Sequence, residues 1–236
     1  VGGLGGIGFH VMNWLAKNGA KTIVLCGRTA KPQDGVKTRI TQLRQRGISV
    51  HLYTCDIGDE TQLRDMLAQI RSKHAICGIV HSAMVLEDMP ISELSRASLQ
   101  KTLTAKVTGT ENLDRLTRED KLDYFVLFSS IATLIGNHGQ SAYVAANAYL
   151  EGVARRRKQS GHSALAIGWG PINDAGYLTR DKAKAALVNR FSGNVEFTAR
   201  QAMVAMGKLL SRSADDNEAV VYITPMRWHE TTSVLK

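Results

Sequence analysis

The stretch Val1–Gly8, VGGLGGIG, sets Gly3, Gly5 and Gly8 in the spacing G-x-G-x-x-G. That spacing normally follows a buried strand and opens a helix whose N–H groups face a pyrophosphate. Gly3 then permits the tight turn, Gly5 lets the backbone approach phosphate, and Gly8 allows close helix–sheet packing. The next residues, FHVMNWLAKNG, carry apolar positions at helical spacing and stop at Gly19. Only Val1 and Gly2 precede the loop. The first strand is therefore expected to be cut short, with its remainder ahead of this sequence.

Working outward, strands and helices alternate. KTIVLCG, ISVHLYTCD, ICGIVHSA, LDYFVLFSS, SALAIGW and AVVYIT read as strands, and the segments between them read as helices. Apolar strands without polar alternation fit burial on both faces. The expected fold is α/β, a doubly wound parallel sheet of Rossmann-like type with right-handed crossovers. Residues 1–236 are read as one domain.

The bulk composition agrees, with 44% hydrophobic and 22% charged residues. No apolar run approaches the roughly 20 residues that cross a bilayer. No leader pattern opens the chain, and Cys26, Cys55 and Cys77 cannot form a paired framework. Cys26 and Cys55 sit in apolar or strand-like runs, so buried free thiols in a reducing, cytoplasmic setting are the simplest reading. No metal-ligand spacing is present, so no metal is expected. The formal charge is +9. The densest basic run, Arg155–Lys158, ends a predicted helix, where cations are favoured, and no aromatic residues interleave with it as base stacking would need. An acidic partner or phosphorylated ligand suits that charge better than nucleic acid.

Two strand ends extend the nucleotide site. Arg28 follows the second strand, where an acidic residue would favour NAD; an arginine there suits a 2′-phosphate and points to NADPH. Asp56 ends the third strand and can accept from an adenine amino group, while Asp59 is the better cap for the following helix. Further along, LFSSIATLIGNHGQSAYVAANAYLEG sets a serine at a strand end and Tyr143 at the start of a helix, with Asn147 one turn on. Lys106, in TAKVTGTENL, is the candidate to hold down the tyrosine pKa. Read singly, each has a plainer explanation: a core aromatic, a helix polar residue, a surface lysine, a turn serine.

Taken together, the residues resemble the short-chain dehydrogenase/reductase superfamily, and within it the ketoreductase domains of polyketide synthases and animal-type fatty acid synthases. Most of the superfamily carries lysine one turn after the tyrosine. These ketoreductases resemble a swapped form, as here with Tyr143, Asn147 and Lys106. The family's serine matches Ser130, leaving Ser129 structural. The resemblance implies that Tyr143 protonates a carbonyl oxygen as hydride arrives, with Lys106 lowering its pKa. Ser130 stabilises the developing charge, and Asn147 orients Lys106 or a relay water. It extends the cofactor site to Gly6, Ile7, Ile57, Ser82 and Ala83. The backbone at Pro171 and Ile172 would lie beside the nicotinamide, with a lid from about 175 to 197.

Leu86, Glu87 and Asp88 stand where many such domains carry Leu-Asp-Asp, and the stretch TLIGNHGQSA just before Tyr143 holds no tryptophan. This implies the D-configured 3-hydroxyacyl product. Glu87 and Met84 depart from the family pattern, the latter where glycine is frequent. The implied substrate is a β-ketoacyl chain on an acyl carrier protein, with other domains of the same synthase as partners, and no nucleic acid or membrane. A free-standing reductase of a small ketone and a non-catalytic ketoreductase-like module are the alternatives.

Overall fold

The computed structural model describes residues 1–32, 34–176, 197–211 and 218–225. Among the described residues six strands alternate with helices: α1 Gly6–Lys17, β1 Thr22–Gly27, α2 Asp34–Gln45, β2 Ser49–Thr54, α3 Glu60–Arg71 and β3 Gly78–His81. Then come α4 Arg96–Leu103, a π-turn at Thr104–Thr108, α5 Gly109–Leu116, β4 Tyr124–Ser130, α6 Ala132–Ile135, α7 Ser141–Gln159 and β5 Leu165–Trp169. The last described elements are α8 Ala199–Leu210 and β6 Val220–Ile223. Local chemistry sets these boundaries. Asp59 caps α3 by accepting from the Gln62 N–H at 3.1 Å, and Thr198 with Gln201 forms a capping box on α8. Gly19 takes a positive φ of 94° just after α1.

All strand pairs are parallel: β1 with β2, and β3-β4-β5-β6 in that order. Val1 and Gly2 lie between the two sets. The Val1 amino group donates to the Val80 carbonyl at 2.7 Å and the Ser82 N–H donates to the Val1 carbonyl at 3.1 Å. The Gly2 N–H donates to the Cys26 carbonyl at 3.0 Å. These two residues bridge β1 and β3, at the point where strand order reverses. Ligands of open α/β sheets bind at that crevice.

The strands read apolar because both faces are covered. Along β4, Phe125 and Leu127 face one core with Leu63, Leu113 and Leu150. Val126 and Phe128 face the other with Ile167, Met203 and Met206. The basic run at the end of α7 is largely used internally. Arg157 is 3% exposed, lies 4.1 Å from the Phe125 ring and pairs with buried Asp114 at 2.6 Å, while Arg156 bridges Glu111 and Asp114. Among the described residues, no helix is long and apolar enough to cross a membrane. Most of the expected lid, 177–196, lies outside the described residues.

Candidate active site

Every candidate residue sits at the strand ends on one edge of the sheet or on the helices beside it. At the glycine loop, the left-handed turns fall at Gly2 (φ 78°) and Gly6 (φ 52°), so the tight turn expected of Gly3 is made by its neighbours. Gly3 is fixed instead by contact: a Cβ there would lie 2.7 Å from Leu25 Cδ2. A Cβ on Gly8 would lie 2.2 Å from the Gly2 carbonyl oxygen, which enforces close packing of the helix start. A Cβ on Gly5 would meet nothing within 4 Å. That open space is where a phosphate would approach. No side chain caps α1 and no acidic residue stands in its first turn. The amides of Gly6 and Ile7 and the positive end of the helix therefore favour an anion.

The rest of the cofactor wall follows the strand order. Arg28 comes directly after β1 and is exposed. Beyond β2, one Asp56 oxygen accepts from the Gly58 N–H at 2.9 Å, and the Ile57 carbonyl receives the Asn112 side-chain amide at 2.9 Å. Asn112, buried on α5, was not among the expected residues; nothing in its spacing separates it from an ordinary helix polar residue. Beyond β3, the Ser82 hydroxyl donates to the Val1 carbonyl at 3.1 Å, and Ala83 touches Gly2. Pro171 and Ile172 leave β5 in a loop tied down by the Asn173 N–H to the Phe197 carbonyl and by Asp174 on the Ala199 N–H. The loop ends against the glycine turn, since a Cβ on Gly6 would lie 3.2 Å from Gly176 Cα.

The four reactive candidates come together from three elements. Lys106 lies in the π-turn between α4 and α5, is 2% exposed, and donates from Nζ to the Phe128 carbonyl at 2.8 Å. Its Nζ is 5.7 Å from the Tyr143 ring centroid. Such local widening of a helix is frequent at functional sites. Tyr143 is in the first turn of α7, and Asn147 one turn on is fully buried, donating from Nδ2 to the Tyr143 carbonyl at 2.8 Å. Asn147 Oδ1 is buried with no partner. Ser130 ends β4 and its Oγ accepts from the Ala132 N–H at 3.2 Å, which leaves its hydrogen free to donate. Ser129 points the other way, to Glu151 at 2.7 Å, in keeping with a structural role.

Burial dominates the electrostatics. It lowers Lys106 from 10.5 to about 7. It raises the Tyr143 phenol, with the Asp88 charge adding to the rise and the Asn147 and Ser130 side chains opposing it. The expected lowering of Tyr143 rests on Lys106 together with a nicotinamide positive charge; in the protein alone, burial is the largest influence on the phenol. His81, at the end of β3, is fully buried beside this pair. Its Nε2 lies 3.2 Å from the Ala105 carbonyl inside the π-turn. Desolvation first, then the Lys106 charge, holds its imidazole well below the usual histidine range. Neutral His81 supports the turn that aims Lys106; its place at a strand end next to Ser82 was the available signal.

Leu86, Glu87 and Asp88 form a half-buried loop whose Asp88 charge acts on Tyr143. Glu87 pairs with Lys101 at 3.1 Å, and Gln140 donates to Asp88 at 3.1 Å. The Met89 N–H donates to the Gly139 carbonyl at 2.8 Å. The loop is thus fastened to the segment that leads into Tyr143. Met84 is 39% exposed.

Comparison with known proteins follows the same lines. Residues 1–174 match the KR domain family. The chain is 40% identical over 177 residues to a phenolphthiocerol/phthiocerol polyketide synthase of Mycobacterium tuberculosis, covering 75% of this chain and 8% of that protein. It is 39% identical over 184 residues to highly reducing polyketide synthase frbB of Dothideomycetidae sp., covering 77% and 7%. The chain thus spans less than a tenth of the length of these relatives. An A1-type ketoreductase structure superposes with a TM-score of 0.91 at 31% identity, covering 100% of this chain and 48% of that one. A short chain dehydrogenase from Burkholderia cenocepacia, solved in complex with NADP, shares the fold, with a TM-score of 0.81 at 17% identity over 95% and 94% of the two chains.

Proposed function

The chain belongs to the KR domain family, the ketoreductases of polyketide synthases within the short-chain dehydrogenase/reductase superfamily; on that premise, we propose that it reduces a β-ketoacyl thioester, carried on an acyl carrier protein, to the 3-hydroxyacyl thioester. The observation that carries the proposal is the convergence of Lys106, Ser130, Tyr143 and Asn147 from three separate elements.

NADPH fits the cofactor wall: the open face at Gly5 and the uncapped start of α1 suit its pyrophosphate, and Arg28 suits its 2′-phosphate. Asp56 and Ile57 would hold the adenine, and Ser82, Ala83, Pro171 and Ile172 would line the inner half. When bound, it supplies the hydride for the carbonyl carbon. Ser130 Oγ donates a hydrogen bond to the carbonyl oxygen and stabilises the charge that grows there. Tyr143, kept protonated by burial, gives that oxygen its proton. Lys106, titrating at about 7, returns a proton toward Tyr143 near neutral pH. The unpartnered Asn147 Oδ1 is the acceptor that would hold Lys106 or a bridging water in line.

Handedness is read from Leu86-Glu87-Asp88 and favours the D-configured product; the similar A1-type structure shares only 31% identity. The chain's charge of +9 suits an acidic carrier protein. The test is NADPH oxidation with a β-ketoacyl thioester, with NADH and Tyr143→Phe as controls. Turnover that prefers NADPH and is lost in Tyr143→Phe supports the proposal. Tight NADPH binding without turnover of a carrier-bound β-ketoacyl substrate would refute it in favour of a non-catalytic module.

A further inference from the structure

A carboxylate lies two helical turns beyond Tyr143 on the same face of α7. Glu151 is 4% exposed. Burying such a group is costly unless its oxygens are satisfied. Here three hydroxyls satisfy them. Ser129 donates to Oε1 at 2.7 Å, Thr133 to Oε1 at 2.7 Å, and Tyr222 to Oε2 at 2.8 Å. Arg155 approaches only to 3.9 Å and is half exposed, so it adds little.

The donors come from the end of β4, from α6 and from β6. Ser129 and Thr133 bracket Ser130 in the chain. The single Thr133 hydrogen has a competing acceptor in the Ser130 carbonyl, at 2.9 Å. The turn carrying Ser130 is therefore gripped on both sides by a residue of the helix that carries Tyr143. In a rigid α7, the distance from Glu151 to Tyr143 is fixed, at about 12 Å of helix rise.

We propose that Glu151 is a positioning residue that sets the Ser130 hydroxyl relative to Tyr143, so that both address the same carbonyl oxygen. The kinetic part rests on the ketoreductase reading; the structural part does not. A displacement of about 1 Å in such a pair costs roughly a hundredfold in rate.

The test uses Glu151→Ala, Glu151→Gln and Tyr222→Phe in the full-length protein. With carrier-bound β-ketoacyl substrate, Glu151→Ala should lower kcat roughly ten- to a hundredfold, with KM and NADPH affinity within about twofold. Glu151→Gln keeps one acceptor oxygen and should fall between. In a Ser130→Ala background the Glu151 substitutions should cost less than about threefold, because the group they position is gone. Without cofactor or substrate, amides of 129–136 should exchange faster in all three variants while those of β1 stay unchanged. Turnover by the parent protein checks the ketoreductase reading separately. Equal losses in the presence and absence of Ser130, or unchanged exchange over 129–136 in Glu151→Gln and Tyr222→Phe, overturn the proposal.

Discussion

Replacing Lys106 by methionine should stabilise the protein and end its turnover, and the stabilisation should fade as pH rises. The ammonium is buried, with one carbonyl partner at 2.8 Å, and burial lowers it from 10.5 to about 7. That lowering corresponds to on the order of 5 kcal/mol against the charged form. Below pH 7 the folded protein bears the whole of it. Between about 7 and 10.5 the unfolded chain holds a proton that the folded chain has released, so stability climbs by about 1.4 kcal/mol per pH unit. Methionine is apolar and of similar length but leaves the Phe128 carbonyl short of a partner, at about 1–3 kcal/mol. The variant should therefore be more stable by about 2–4 kcal/mol at pH 6 and close to wild type by pH 9. Neighbouring groups do not blur the window: His81 stays neutral above its lowered value, and the Tyr143 phenol is raised, hence still protonated at pH 9. Urea unfolding of the cofactor-free proteins at pH 6, 7.5 and 9 measures the difference. Parallel behaviour at all three values would mean the ammonium is hydrated in the folded state, and the electrostatic reasoning would fail.

Arg28→Ala should reduce the preference for NADPH over NADH roughly ten- to a hundredfold, seen as a higher KM for NADPH, since a charge-assisted contact to the 2′-phosphate is lost. Gly8→Ala drives a Cβ to 2.2 Å from the Gly2 carbonyl and should abolish NADPH binding in a fluorescence titration. Gly35→Ala, whose Cβ meets nothing within 4 Å on α2, should be neutral or stabilising by up to about 1 kcal/mol in the same preparation. His81→Asn should lower kcat by loosening the π-turn, yet the pH dependence of kcat/KM near 7 should persist, because that limb belongs to Lys106; its disappearance would assign it to the imidazole.

The parts that were legible in the sequence are those governed by short-range rules. Alternating strand and helix patterns placed β1 to β6, and Asp59 was recognisable as the cap of α3 because capping needs only its own neighbours. Ser130, Tyr143 and Asn147 lie in one continuous stretch whose helical spacing reads directly. Lys106 could be named as the lysine to hold down the tyrosine pKa, but its π-turn could not, since one widened turn has no periodic signature over five residues. Glu151, His81 and Asn112 escaped because each acts on residues distant in sequence, such as Tyr222 and Ile57. The burial that raises the Tyr143 phenol has a related origin: desolvation depends on everything packed around a group, and no motif records it.

The fastening of the Leu86-Glu87-Asp88 loop to Gly139 and Gln140 has a consequence for exchange of parts between proteins. The two segments are far apart in the chain but share a backbone hydrogen bond and a side-chain one, with Lys101 as a third anchor. A graft of three residues from a reductase of opposite handedness would bring its side chains without the seat they rest on. On the proposed reading, in which Leu86-Glu87-Asp88 sets the hand of the product, the unit to transplant is the pair of segments, 86–89 with 137–140, and hybrids that divide the pair should lose rate before they change hand.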